Sequence, residues 1–397
     1  MRFSARKGKR VHLDYASTTP VQKEVFDVMK PYFSAKWANA SAIYKEGVEE
    51  REKIENERER LARTLRVRAG DIVFTSGGTE SNNLGLRGYL AHLNKEDVPY
   101  EDIEVISTKI EHPSILETLK HLEGHGIKVV YAPVDEEGRI VIAEFQKLLS
   151  PKTKLVTFAY VNSEIGTIQD VKKITKTIRD YNEKNNVTVK TLLDACQAPL
   201  WLPCQLDSLG VDMLTLDAGK CYGPKGVGVL VKRHQVELEP IIFGGGQEDG
   251  LRPGTENTAL VVGCVEAMVR AQESWKERND KISKIRDQYI ETILNEVNGV
   301  VLNGSQEHRV ANNINISIPG IDGEYAVITL DSKGVAVSTR SACGAGKGAG
   351  SHVVQEITGD EARALSTIRL TLGQESREDD IEKVVTILKD HLKLMEQ

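Results

Sequence analysis

No stretch of this 397-residue chain stays apolar long enough to span a bilayer, which excludes a helical membrane protein. The basic opening, Arg2 to Arg10, runs into Val11-His12-Leu13-Asp14 instead of the apolar core of an export signal, so a cytoplasmic setting is expected. Basic residues do not exceed acidic ones: 52 Lys and Arg stand against 58 Asp and Glu, a formal net charge of −6, and nothing favours nucleic acid. The five cysteines, at positions 196, 204, 221, 264 and 343, form neither a C-x-x-C pair nor a zinc-ligand spacing. No metal site is expected, and the odd count fits reduced thiols better than a disulfide framework. Cys196 and Cys264 lie in apolar surroundings and read as small core residues. Internal repeats and low-complexity linkers are absent; the charged run from Lys45 to Arg66 reads as a solvated helix with Val48, Leu61 and Leu65 facing inward.

What is present is an alternation of apolar strands and amphipathic helices. Strands are expected at Ile72 to Thr75, Val105 to Thr108, Val129 to Ala132, Leu155 to Tyr160, Thr191 to Asp194, Met213 to Asp217 and Gly228 to Lys232. Helices are expected between them at Ser81 to Leu93, Pro113 to Gly124 and Ile174 to Asn182. This order predicts an α/β fold with a mainly parallel sheet covered by helices on both faces. The pattern changes near residue 260. A long charged helix from Ala259 to about Asn295 precedes strands at Asn313 to Ile318 and Val335 to Val337, and a last helix runs from Arg377 to Met395 with Ser376 as N-cap. A chain of this length divides naturally into a large domain, 13–260, and a smaller α+β domain, 261–397, with residues 1–12 against the smaller one.

Ligands of such sheets sit beyond the carboxyl ends of the strands. Asp194 ends an apolar strand, and Lys220 follows in a glycine-rich turn, Gly219-Lys220-Cys221-Tyr222-Gly223-Pro224. These are the two groups a pyridoxal 5′-phosphate (PLP) enzyme needs: an amine to form a Schiff base and a carboxylate to keep the pyridine nitrogen protonated. Thr75-Ser76-Gly77-Gly78-Thr79 is a strand, a glycine turn and a helix start, so the amides around Gly78 and the Thr79 hydroxyl suit a phosphate. His112 precedes a helix-starting Pro113, and its flat imidazole titrates near neutrality. Arg369, in the apolar run Thr367 to Leu372, needs a partner, and its planar fork matches a carboxylate. The loose G-x-G-x-x-G/A match after Cys343 lacks a following βαβ unit and does not read as a dinucleotide site.

Glu111-His112-Pro113-Ser114, Asn162-Ser163-Glu164-Ile165-Gly166-Thr167, Arg252-Pro253-Gly254-Thr255-Glu256-Asn257, Ser341-Ala342-Cys343 and Ile368-Arg369-Leu370-Thr371-Leu372-Gly373 occur in an order that resembles the cysteine desulfurases of the NifS/IscS type, within the class V aminotransferase-like family. The resemblance runs from about Leu13 nearly to the C-terminus. It implies a fold-type I, aspartate aminotransferase-like PLP enzyme that converts L-cysteine to L-alanine, as a homodimer, and passes sulfur to an acceptor such as an iron–sulfur scaffold or a thiolation relay.

By the same resemblance, Lys220 is the cofactor lysine, Asp194 fixes the pyridinium, and His112 stacks on the ring and moves protons. Gln197 donates to the phenolic oxygen, Gly78 and Thr79 hold the phosphate, and Thr255 reaches the neighbouring subunit's cofactor. Arg369, assisted by Asn162, orients the substrate carboxylate. Cys343 receives the sulfur, with glycines at 344, 346, 348 and 350 giving its loop freedom to travel. The chain departs from the family at three places. Asn39-Ala40-Ser41-Ala42-Ile43-Tyr44 lacks the histidine of the family's early segment, Arg340 stands where a small residue is usual, and Asp217 and Gly219 replace a serine and a histidine that contact the phosphate. A carboxylate beside a phosphate predicts a weaker grip on the cofactor unless it turns away. A lyase acting on selenocysteine and a PLP-poor partner of a sulfur scaffold are the two other readings.

Overall fold

The computed structural model describes residues 10–339 and 350–395. Twelve strands are present among them: β1 (Val11–His12), β2 (Ile72–Thr75), β3 (Glu104–Ser107), β4 (Lys128–Tyr131), β5 (Thr153–Ala159), β6 (Lys190–Asp194), β7 (Met213–Asp217), β8 (Gly228–Lys232), β9 (Val301–Leu302), β10 (Asn313–Ser317), β11 (Val335–Ala336) and β12 (Thr367–Thr371).

Seven of them build one sheet in the order β2-β8-β7-β6-β5-β3-β4. The run β7-β6-β5-β3-β4 is parallel, and β8 alone runs antiparallel, to β2 on one side and to β7 on the other. The sheet is therefore mixed and mostly parallel. Residues along its strands alternate between two apolar clusters. Phe74, Ile106, Val156, Leu193, Leu214 and Val231 face one, and Val73, Val105, Leu155, Leu192, Met213 and Leu230 face the other. A strand's period of two explains why neither face is left to solvent.

β12, β10 and β9 form an antiparallel sheet, and β1 pairs in parallel with β11. The larger apolar cluster extends from Phe158 and Trp201 beneath the seven-stranded sheet to Ile314, Ile368 and Leu370 of the small one.

Two helices after residue 258 differ from the sequence expectation. The single helix expected from Ala259 to Asn295 is two, Thr258–Glu273 and Trp275–Glu296. Ser274 sits between them at φ −122°, ψ 18°, outside helical geometry, with its hydroxyl donating to the Arg270 carbonyl at 2.9 Å. The last helix begins at Asp380, not Arg377, because the Ser376 hydroxyl accepts the Gly373 N–H at 2.9 Å within the preceding turn instead of capping a helix.

Candidate active site

The connection from β7 to β8 is short because the two strands are antiparallel, and it carries Lys220 back across the carboxyl edge of the sheet. The turn is held open by Tyr222 at φ +62°, unusual for a bulky residue. Its N–H donates to the Thr19 hydroxyl at 2.7 Å, and its own hydroxyl accepts from Gln374 N at 2.8 Å. β8 begins against the turn that leaves β2: a Cβ on Gly228 would lie 2.5 Å from the Gly77 carbonyl carbon, so only glycine fits there.

A cavity of about 170 Å³ opens at this edge, lined by Gly78, Thr79, Asn82, Ile110, His112, Ser114, Ala159, Val161, Asn162, Ser163, Asp194, Cys196, Gln197, Asp217 and Lys220. Eight sequence-predicted residues, Gly78, Thr79, His112, Asn162, Asp194, Gln197, Lys220 and the departure Asp217, thus line one space. Thr255 does not; it is exposed, ahead of the helix Thr258–Glu273, and lines a separate 240 Å³ cleft with Glu248 and Arg252. Cys343 and the glycine loop, with Arg340, lie outside the described residues.

Asp194 is buried at the end of β6. Its Oδ2 accepts from Asn82 Nδ2 at 2.8 Å and its Oδ1 from Cys196 N at 3.0 Å. Asn82 is itself fixed, since its Oδ1 accepts the Thr215 hydroxyl at 2.8 Å and its Nδ2 also donates to Ser114 Oγ at 2.9 Å. Ser114 then reaches His112, whose Nδ1 accepts the Ser114 N–H at 3.1 Å and lies 2.8 Å from its hydroxyl. A ring nitrogen that accepts a backbone N–H carries no proton, so neutral His112 holds its proton on Nε2. Burial lowers the His112 pKa; Asp194 opposes this and Lys220 reinforces it. Neither Asn82 nor Ser114 stands out in the sequence, because an amide in a helix and a hydroxyl after Pro113 are ordinary residues there.

Lys220 Nζ donates to the backbone carbonyls of Ala16, at 2.9 Å, and Ser17. Gln197 Nε2 donates to the same Ala16 oxygen at 3.0 Å. The segment that follows β1 therefore supplies the resting acceptors of the amine. It also holds Arg369, which is 1% exposed on β12: Nη2 donates to Asp14 Oδ1 and Ser17 Oγ, both at 2.9 Å, and Nη1 to the Ser163 carbonyl at 2.8 Å, while Nε is buried without a partner. Arg369 touches the cavity through Ser163. The Asn162 side chain is occupied with backbone: Nδ2 donates to Ile110 O at 2.8 Å, and Oδ1 accepts from Glu164 N and Ile165 N. It ties the His112 loop to the loop that carries Ser163.

Cys196 is corrected by the structure. It lines the cavity and is not enclosed in the core, and burial together with the Asp194 and Asp217 carboxylates pushes its thiol pKa up, which keeps it protonated. Cys264 is buried, as its surroundings suggested, alongside Cys204 and Cys221. Glu111, behind His112, is also buried; Thr108 Oγ1 donates to its Oε1 at 2.6 Å and its Oε2 has no partner, and burial pushes the carboxyl up to about 8.

Asp217 does not turn away from the cavity. Its Oδ1 accepts the Gly219 N–H at 2.8 Å and its Oδ2 the Gly78 N–H at 3.1 Å. The space above Gly219 is filled on two sides, since a Cβ there would meet Asp217 Oδ1 at 3.2 Å and Lys225 Cγ at 3.5 Å. Among the described residues no grouping of His, Cys, Asp and Glu could hold a metal ion, and no helix is long and apolar enough to cross a membrane.

A primary amine, a buried carboxylate and a flat neutral imidazole around one cavity fit the ring end of a pyridoxal cofactor; at the phosphate end one expected amide is already taken. The chain belongs to the aminotransferase class-V family, whose model matches residues 11–384. It is 36% identical over 381 residues to the cysteine desulfurase IscS of Dictyoglomus turgidum, covering 96% of this chain and 94% of that one. It is likewise 36% identical to cysteine desulfurase IscS 1 of Archaeoglobus fulgidus, over 95% of each chain. Among solved structures, a NifS-like protein superposes with a TM-score of 0.88 at 33% identity, over 97% of this chain and all of the other. SspA in complex with cysteine superposes at 0.77 and 33% identity, over 91% and 98%.

Proposed function

We propose that this protein is a PLP-dependent cysteine desulfurase that converts L-cysteine to L-alanine and takes the sulfur onto Cys343. The observation that carries the reading is the meeting of Asp194, Lys220 and His112 at one cavity in a chain of this family. When bound there, the cofactor supplies an electron sink that makes the Cα proton of an amino acid labile.

The chain's own residues do the rest. Lys220 Nζ leaves the Ala16 and Ser17 carbonyls to hold the cofactor, and once free again it moves a proton at Cα. Asp194, held by Asn82 and the Cys196 amide, would keep a positive charge on the ring nitrogen. His112 would lie over the ring and carries its proton on Nε2, where it can be given to Cβ as the C–S bond breaks. Arg369 turns its unpartnered Nε toward a substrate carboxylate, and Asn162 keeps the adjoining loops together. The Cys343 thiolate attacks the substrate sulfur; the Cβ–S bond breaks as the S–S bond forms, Cβ takes a proton, and alanine leaves with the enzyme persulfide behind.

The working unit in this reading is a homodimer, with the chain dividing near residue 260. Trp37, Ile43 and Phe243 are 79%, 94% and 87% exposed, and an exposed Thr255 would serve the neighbouring copy's cofactor. The persulfide sulfur then goes to an acceptor protein, an iron–sulfur scaffold or a thiolation relay.

The bonds from Asp217 to Gly78 and Gly219 favour one second reading, a PLP-poor partner of sulfur-handling proteins. The absorbance spectrum of the purified protein separates the two. A desulfurase has a visible band that borohydride bleaches and that Lys220→Ala removes; its absence after addition of PLP leaves the second reading.

A further inference from the structure

The turn that opens the helix at Gly78 has its amides satisfied from within the chain. Ser76 N–H donates to Glu80 Oε2 at 2.7 Å, and Gly78 N–H to Asp217 Oδ2 at 3.1 Å. The two carboxylates are not alike. Glu80 is neutralised by Arg252 at 3.1 Å, whereas Asp217 has no Lys or Arg in ion-pair range among the described residues. It lines the cavity, and its partners are two backbone amides, Gly219 of its own turn and Gly78 at the start of the helix after β2. A carboxylate that offers one oxygen to each of two backbone N–H groups has the placement of two oxygens of a bound anion.

We infer that Asp217 acts as an internal anion at the phosphate end of the cavity, so that this protein binds the ring half of the cofactor with little preference for its 5′-phosphate. The inference rests on the PLP reading above and narrows it. An arriving phosphate must either displace the carboxylate from both amides or sit beside it at like charge; both penalties fall on the phosphate and neither on the ring. Lys220, Asp194 and His112 are untouched by the exchange, since none of them bonds to Asp217. The Lys225 side chain lies over Gly219, and its amine is turned to the Thr19 carbonyl at 3.2 Å.

The test is titration of the full-length protein with PLP and separately with pyridoxal, which lacks the phosphate, in wild type, Asp217→Asn and Asp217→Ser. Binding is read from the visible band and by equilibrium dialysis. Asn is isosteric and keeps an acceptor for the turn; Ser is smaller and leaves both amides for the ligand. In both variants PLP affinity is expected to rise about 10- to 100-fold, the worth of one charge-assisted hydrogen bond, with pyridoxal affinity within about twofold of wild type. Inorganic phosphate is expected to raise the melting midpoint of Asp217→Ser and to leave the wild type unmoved. If the wild type already prefers PLP to pyridoxal as strongly as the variants do, the inference is wrong while the cofactor reading stands. If none of the three proteins forms a borohydride-reducible complex with either compound, both readings fall together.

Discussion

Asn82 Nδ2 lies 2.8 Å from Asp194 Oδ2, although 112 residues separate them, and this bond joins the strand that ends in the buried carboxylate to the helix that begins at Gly78. Because Asn82 also holds Ser114, and Ser114 holds His112, one amide links both the carboxylate and the imidazole that line the cavity.

Asn82→Ala should therefore damage the site without touching the reactive amine. Loss of a hydrogen bond to a charged group is worth roughly 1.5–3 kcal/mol, so cofactor affinity should fall about 10- to 100-fold. Asn82→Asp, which sets a like charge against Asp194, should be worse. Dialysis of cofactor from each variant measures the order; equal retention in all three proteins would remove Asn82 from the account.

Cys343→Ser should bind cofactor and change its spectrum on adding L-cysteine, yet give no persulfide and almost no alanine. Undiminished alanine formation would instead favour a lyase that needs no protein thiol.

Glu111 gives a pH prediction. Its carboxyl stays protonated up to about 8 in the folded chain, against an ordinary value near 4.3 in an unfolded one. The folded state binds the extra proton between those limits, so this contribution is greatest below the lower value and is lost as pH rises through about 8. At about 1.4 kcal/mol per pKa unit, the loss amounts to a few kcal/mol. Glu111→Gln has no such proton to lose, and its urea midpoint should fall less than that of wild type between pH 5 and pH 9. Parallel curves would show that the buried carboxyl is not the titrating group.

Arg369→Lys keeps the charge but not the fork, and should raise KM for L-cysteine about tenfold or more with a smaller change in kcat, as expected for a group that holds the substrate carboxylate. A change confined to melting temperature would mark the Asp14 ion pair as its whole role.

Much of the fold was legible because apolar runs bounded by turn residues declare themselves. β2, β7 and β8 have the ends their sequences suggest. Strand direction leaves no such mark, so the antiparallel β8 was invisible in the pattern, although it is what makes the Lys220 connection short. The break at Ser274 was hidden because most residues on either side, Arg270 to Glu273 and Lys276 to Arg278, are good helix formers. Within the site, Asp194, Lys220 and His112 carry distinctive chemistry and could be picked out, whereas Asn82 and Ser114 matter only through partners far away in sequence. Asp217 stood out as a charge in the wrong place, but its bond to Gly78, 139 residues distant, required the fold. Cys196 follows Ala195 and was read as a small core residue, but in space it stands beside the Asp194 and Asp217 carboxylates.

The nine residues from Val11 to Thr19 are threaded like a stitch through the whole molecule. They pair with β11, Leu13 O accepts from Thr371 N on β12, Asp14 holds Arg369, the carbonyls of Ala16 and Ser17 hold Lys220, and Thr19 bonds to Gly219. A shortened version of the protein can begin no later than residue 10. One cut beyond it would keep every group named as reactive and still release the lysine and the arginine from their resting positions.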